Sequence, residues 1–137
     1  MNLIIQSDYL PHDSEILKRL DNSNLWIELS NKSAKDIYQW WDGKTQPNNI
    51  WEELIYTIWG NIDFNSIAGF EYWANICTEG DTLDWHQDKD EPLFREQKKT
   101  VSPKISTVYY GFQHTVEGGL LEIAMPESTN FELTERI

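Results

Sequence analysis

The stretch from Asn49 to Trp59 constrains the fold of this chain more than any other. Asn49 stands where a helix N-cap would, and Glu52 follows three residues later in a capping-box arrangement. Trp51, Leu54, Ile55, Ile58 and Trp59 then recur at i, i+3, i+4, i+7 and i+8, which is one helical face. Gly60-Asn61 ends the run. A face carrying two tryptophans and three aliphatic residues must be buried, and packing against a sheet is the simplest way to bury it.

The rest of the chain is read around that helix. Residues 2–6 suggest a short strand, closed by Leu10-Pro11. Asp13 or Ser14 can cap a short helix through Ile16, Leu17 and Leu20. Leu25-Trp26-Ile27-Glu28-Leu29, rich in aromatic and β-branched residues, reads as a second strand. Residues 30–48 are polar and give no clear element. From Ser66 the character turns to strand, with Phe70, Tyr72 and Trp73 between Ile67 and Ile76. Glu79-Gly80-Asp81 is a turn signal, and residues 82–86 form a short strand after it. Residues 89–103 are charged, contain Pro92 and Pro103, and read as a long loop. Residues 104–113 give the clearest strand, 114–119 a turn and 120–125 a further strand. The expectation is a single α+β domain over residues 1–137. Residues 1–65 would form a helical and strand support, and residues 66–137 an antiparallel, mainly β core.

Composition narrows the classes of function. Seven Trp, six Tyr and five Phe supply enough apolar surface for a core. A net charge of -12 repels phosphate, which argues against nucleic acid or an anionic membrane as partner. Lys98, Lys99 and Lys104 lie close together but read as a solvated loop. Cys77 is the only cysteine, so no internal disulfide can form and a reducing compartment fits. The N-terminus lacks a basic region, and its apolar run is short for a signal peptide. No stretch approaches the length of a membrane span. A cytoplasmic location is expected.

The chemistry-bearing feature is Trp85-His86-Gln87-Asp88. On an extended strand, residues i and i+2 share a face, so His86 and Asp88 can reach one point. An imidazole and a carboxylate converging there make up two thirds of a facial 2-His-1-carboxylate iron(II) site. Taken alone, a His-x-Asp triplet is also what an acid-rich surface loop would contain.

Together with its surroundings, the motif resembles the 2-oxoglutarate and iron(II)-dependent dioxygenases, in particular their prolyl 4-hydroxylase-like branch. Gly80 matches the turn glycine before the motif, and His86 and Asp88 match the first two metal ligands. Ile105-Ser106-Thr107-Val108-Tyr109-Tyr110 looks like the strand after the ligand loop. Glu117-Gly118-Gly119-Leu120-Leu121 looks like the acidic-Gly-Gly turn into the next strand. The resemblance covers about residues 67–125. It implies a double-stranded β-helix, of the jelly-roll or cupin-like kind, with Fe(II) and the cosubstrate 2-oxoglutarate at the barrel mouth. It places Thr107 and Tyr109 near the 2-oxoglutarate carboxylate, with Leu83 and Trp85 close to the ligands. The implied reaction uses dioxygen to hydroxylate a C–H bond of a small-molecule or peptidyl substrate while 2-oxoglutarate becomes succinate and carbon dioxide, one oxygen atom going to the hydroxylated product and one to succinate.

The family completes its site with a distal histidine and, beyond it, an arginine or lysine for the cosubstrate. After Asp88 the only histidine is His114, in the turn before Gly118-Gly119. The distal histidine is expected about where the sequence ends, and Phe131-Glu132-Leu133-Thr134-Glu135-Arg136-Ile137 looks like the start of a further strand. Three expectations follow: a β-helix incomplete at its C-terminus, one half of a split enzyme, or a non-catalytic jelly-roll module for binding or assembly. His12 or His114 would supply a third ligand only in a rebuilt geometry. Unpaired edge strands would favour a homodimer or strand exchange.

Overall fold

The computed structural model describes residues 4–7, 9–35, 37–111, 120–125 and 132–136. The chain divides into two compact units, one of Met1–Pro11 with Phe112–Ile137 and the other of His12–Gly111. The larger unit holds helices α1 (Glu15–Leu20), α2 (Ser23–Ser33), α3 (Ile50–Trp59) and α4 (Glu91–Gln97), with strands β1 (Gln39–Trp41) and β2 (Phe70–Tyr72). β1 and β2 pair antiparallel, with Gln39 opposite Tyr72, Trp40 opposite Glu71 and Trp41 opposite Phe70. The smaller unit holds the antiparallel pair β3 (Glu122–Met125) and β4 (Glu132–Arg136).

α3 forms as its capping residues dictate. The Asn49 side-chain oxygen accepts hydrogen bonds from the Trp51 and Glu52 amides at 2.9 and 3.0 Å. Glu52 turns back over the helix start, where its carboxylate accepts from the Asn48 amide at 2.6 Å and from the Asn49 side-chain amide at 3.0 Å. The Tyr72 hydroxyl donates to the same carboxylate at 3.3 Å. Glu52 is the one buried charged residue among those described, and these donors replace the water it loses. They also tie the start of α3 to β2.

The core of this unit gathers Leu20, Leu29, Trp41, Ile50, Leu54 and Ala74. Leu20 is fully buried, which contributes about 1.5–3 kcal/mol from its apolar area. Trp26 meets Trp51 edge to face at 4.8 Å and donates its indole N–H to the Leu20 carbonyl at 2.8 Å, so three helices meet at one indole. A second aromatic cluster stacks Trp41 on Phe70 and sets Phe64 edge-on to both. Gly43, at φ +73°, passes beneath this cluster, where a Cβ would lie 2.9 Å from the Phe70 ring.

A mainly β architecture built on a double-stranded β-helix is not what the chain adopts. The described residues contain four α-helices and two separate two-stranded ladders. Residues 25–29 lie inside α2, not in a strand. Leu25 and Leu29 are one helical turn apart, and the Asn22 side chain accepts from the Asn24 amide at the helix start. The expected loop over 89–103 contains α4, started by Asp90 and Pro92 and ended by Lys98 in a left-handed conformation. Proline is tolerated in the first turn of a helix because no amide there has an intrahelical partner.

Residues 82–86 and the described part of 104–113 form no strand. Strand propensity is expressed only against a paired neighbour, and here Leu83, Trp85, Ile105, Val108 and Tyr110 remain exposed. Residues 4–6 are irregular, while the expected turn at 114–119 lies outside the described residues. Strands do form within 120–125 and 131–137, as the sequence indicates. Among the described residues no helix is long and apolar enough to cross a membrane.

Candidate metal-binding arm

His86 and Asp88 lie on an arm that leaves a tight turn. Asp81 shapes that turn: its carboxylate accepts from the Thr78 amide at 2.7 Å and the Thr78 hydroxyl at 2.8 Å, while its own amide donates to the Thr78 carbonyl at 3.0 Å. These donors hold the Asp81 carboxyl below the ordinary aspartate range. Gly80 takes φ +88°, a backbone region that side-chain-bearing residues rarely adopt. The predicted turn at Glu79-Gly80-Asp81 is therefore present, and it launches the arm.

Within the arm, His86 Nδ1 lies 2.8 Å from the Asp84 carbonyl oxygen. A carbonyl only accepts, so Nδ1 carries the proton and donates it. In neutral imidazole this leaves the lone pair on Nε2. Nε2 faces Asp88 Oδ1 at 3.7 Å. The two side chains thus converge although the arm is not a strand. Donors bound side by side to one small ion lie about 3 Å apart, given bonds of about 2.1 Å, which is shorter than this separation. The Nδ1–H···O=C contact is the kind that fixes the tautomer of a metal-ligating histidine. An imidazole nitrogen and a carboxylate oxygen are donor types that divalent metals accept. Among the described residues no group of three or more His, Cys, Asp or Glu side chains gathers around one point. His114 lies outside those residues, and His12 is exposed in the turn before α1.

The arm is held from behind by α4 and the segment returning from it. The Asp90 amide donates to the Val101 carbonyl at 2.9 Å, and the Gln87 side-chain amide donates to the Ser102 hydroxyl at 2.9 Å. These two bonds close a loop whose base includes the motif and whose far side is α4. Asp90 also caps α4 by accepting from the Leu93 amide at 2.8 Å. Lys89 pairs with Glu91 at 2.7 Å and lies over the Phe94 ring at 4.7 Å. The sequence shows the motif but not this clasp, which joins residues separated by a whole helix.

Thr107 is exposed and Tyr109 half-buried on the segment leading to Gly111. Burial pushes the Tyr109 phenol above its ordinary pKa. No hydrogen bond links either residue to His86 or Asp88. Glu71, which the sequence does not single out, is a half-buried carboxyl near α4 whose pKa is raised. One of its oxygens is buried without a hydrogen-bond partner. Burial raises its pKa, the Glu91 amide lowers it, and the charges of Asp90 and Glu91 raise it further.

No protein-family model, curated protein or solved structure matches the chain.

Proposed function

We propose that this chain is an iron(II)- and 2-oxoglutarate-dependent oxygenase in which His86 and Asp88 supply two of the metal ligands. The reading is carried by one observation: His86 Nε2 lies 3.7 Å from Asp88 Oδ1, while Nδ1 lies 2.8 Å from the Asp84 carbonyl oxygen. The resemblance of the flanking residues to that family supports it. The resemblance is one of sequence alone, since residues 82–86 and 104–111 do not form the strands that carry the site in that family.

Iron(II) with the oxo-acid and dioxygen would supply the oxidising chemistry, and the protein would position and shield it. His86 would offer a neutral nitrogen and Asp88 a negative oxygen, a mixed set that suits iron(II). The clasp through Gln87 and Asp90 would hold both donors while substrate exchanges. Thr107 and Tyr109 would offer hydroxyls to the oxo-acid carboxylate. The substrate would be a small molecule or a peptidyl residue.

The test is an anaerobic titration with iron(II) and then 2-oxoglutarate, followed by visible absorbance. The expected result is the charge-transfer band of the chelate in the wild type and its loss in His86→Ala. His86 is exposed, so that variant should retain its fold, as circular dichroism would verify. No band, together with no thermal stabilisation by any divalent metal, overturns the proposal. It would favour the second reading, a non-catalytic binding module. The exposure of Leu83 and Trp85 beside the motif supports that alternative, since large apolar side chains in water are often contact points.

A further inference from the structure

A cleft of about 540 Å³ opens in the larger unit between α2, the start of α3 and the β1–β2 ribbon. Its volume lies within the range of about 300–1,000 Å³ typical of small-molecule sites. Leu25, Leu29, Ile50 and Trp51 supply its apolar lining. Several polar residues also line it, but most are already engaged. Arg19 forks onto Glu53 at 2.5 and 3.0 Å. Asn49 and Tyr72 bond to each other and to the buried Glu52.

Glu28 and Lys32 are the exception. Both line the cleft, one turn apart on the same face of α2. A glutamate four residues before a lysine is the favourable order for a helical ion pair. Among the described residues, however, neither forms an ion pair with the other or with a third group. The cleft therefore presents an anion and a cation side by side, above an apolar floor.

We propose that this cleft binds a free amino acid, with Lys32 taking its carboxylate, Glu28 its ammonium, and Leu25, Leu29, Ile50 and Trp51 its apolar side chain. An α-amino acid carries both charges on one carbon, so it can bridge two residues whose Cβ atoms are about 5–6 Å apart. It has no net charge, so the field of a chain of net charge -12 does not repel it. A simple carboxylate would lack that advantage and would leave Glu28 unmatched. This site is separate from the His86–Asp88 pair and needs no metal.

The experiment compares three ligands by calorimetry on the full chain without added metal: L-phenylalanine, 3-phenylpropionate and 2-phenylethylamine. Phenylalanine should bind saturably and each single-charge analogue about tenfold more weakly or worse, the effect of losing one charge-assisted hydrogen bond. Lys32→Gln should weaken phenylalanine and 3-phenylpropionate but leave 2-phenylethylamine unchanged. Glu28→Gln should do the converse. Both side chains are exposed, so the fold should persist in each variant, checked by circular dichroism. Equal affinity for all three ligands, no saturable binding of phenylalanine, or indifference to Lys32→Gln overturns the proposal. None of these outcomes bears on iron binding, which His86→Ala tests separately.

Discussion

Gly111 lies flat against the indole of Trp26, so close that a Cβ on it would be 2.3 Å from Cζ2 and 2.6 Å from Cη2. The same indole meets Trp51 edge to face and bonds to the Leu20 carbonyl, so it cannot swing aside without breaking both contacts. Gly111→Ala should therefore destabilise by about 1–3 kcal/mol, the usual cost of overpacking. Urea unfolding measures it. Trp26→Leu should cost less in the Gly111→Ala background than in the wild type, and strict additivity of the two changes would argue against this contact.

Asn49 acts at the start of α3 both as an acceptor for two amides and as a donor to Glu52. Asn49→Ala should cost about 1–2 kcal/mol, at the upper end for a cap. Aspartate normally caps as well as asparagine, but Asn49→Asp should rescue poorly here. It removes the donor and sets a second carboxylate beside the buried Glu52. Thermal unfolding of the two variants gives the comparison; equal stability of Asn49→Asp and wild type would refute it.

Two carboxyls should shape the pH dependence of stability in opposite directions. The Arg19 hydrogen bond holds Glu53 below the ordinary glutamate pKa. Its contribution is present above the unfolded-state pKa and lost as pH falls through the lowered folded value. Glu53→Gln should flatten the acid side of the stability profile.

Burial raises Glu71, so its sign reverses. The folded state favours the protonated carboxyl, and that contribution is full below the unfolded-state pKa and fades as pH rises through the raised one. Glu71→Gln mimics the protonated form and should stabilise the protein at neutral pH, with the gain shrinking toward acid. Unfolding midpoints across the acid-to-neutral range would show it. A loss of stability at neutral pH would contradict the assignment.

Legibility from sequence followed the range over which each signal acts. α3 and α1 were readable because caps and 3.6-residue periodicity are local. α2 was not, because Leu25, Trp26 and Ile27 carry strand propensity while the helical face depends on Leu20 and Trp51, remote in the chain. β1 hid in a polar stretch, its pairing fixed by β2 some thirty residues later. α4 was masked by Pro92, read as a loop marker although it sits in the first turn. For the candidate arm, the turn at Gly80 was legible; His86 and Asp88 lie 3.7 Å apart, but on an irregular segment. The strand expected to deliver them was not formed. The bonds from Gln87 and Asp90 to Ser102 and Val101 had no local signature.

The closure between Asp90 and Val101 gives the chain an anchored bight. Its two feet are fixed to each other, so what lies between them is insulated from what lies at its root. Lys99 and Thr100, which join α4 to the Val101 anchor, can be exchanged without breaking either bond at the root. The segment beside the candidate metal ligands is thus free to diversify at those two positions while its root stays constant.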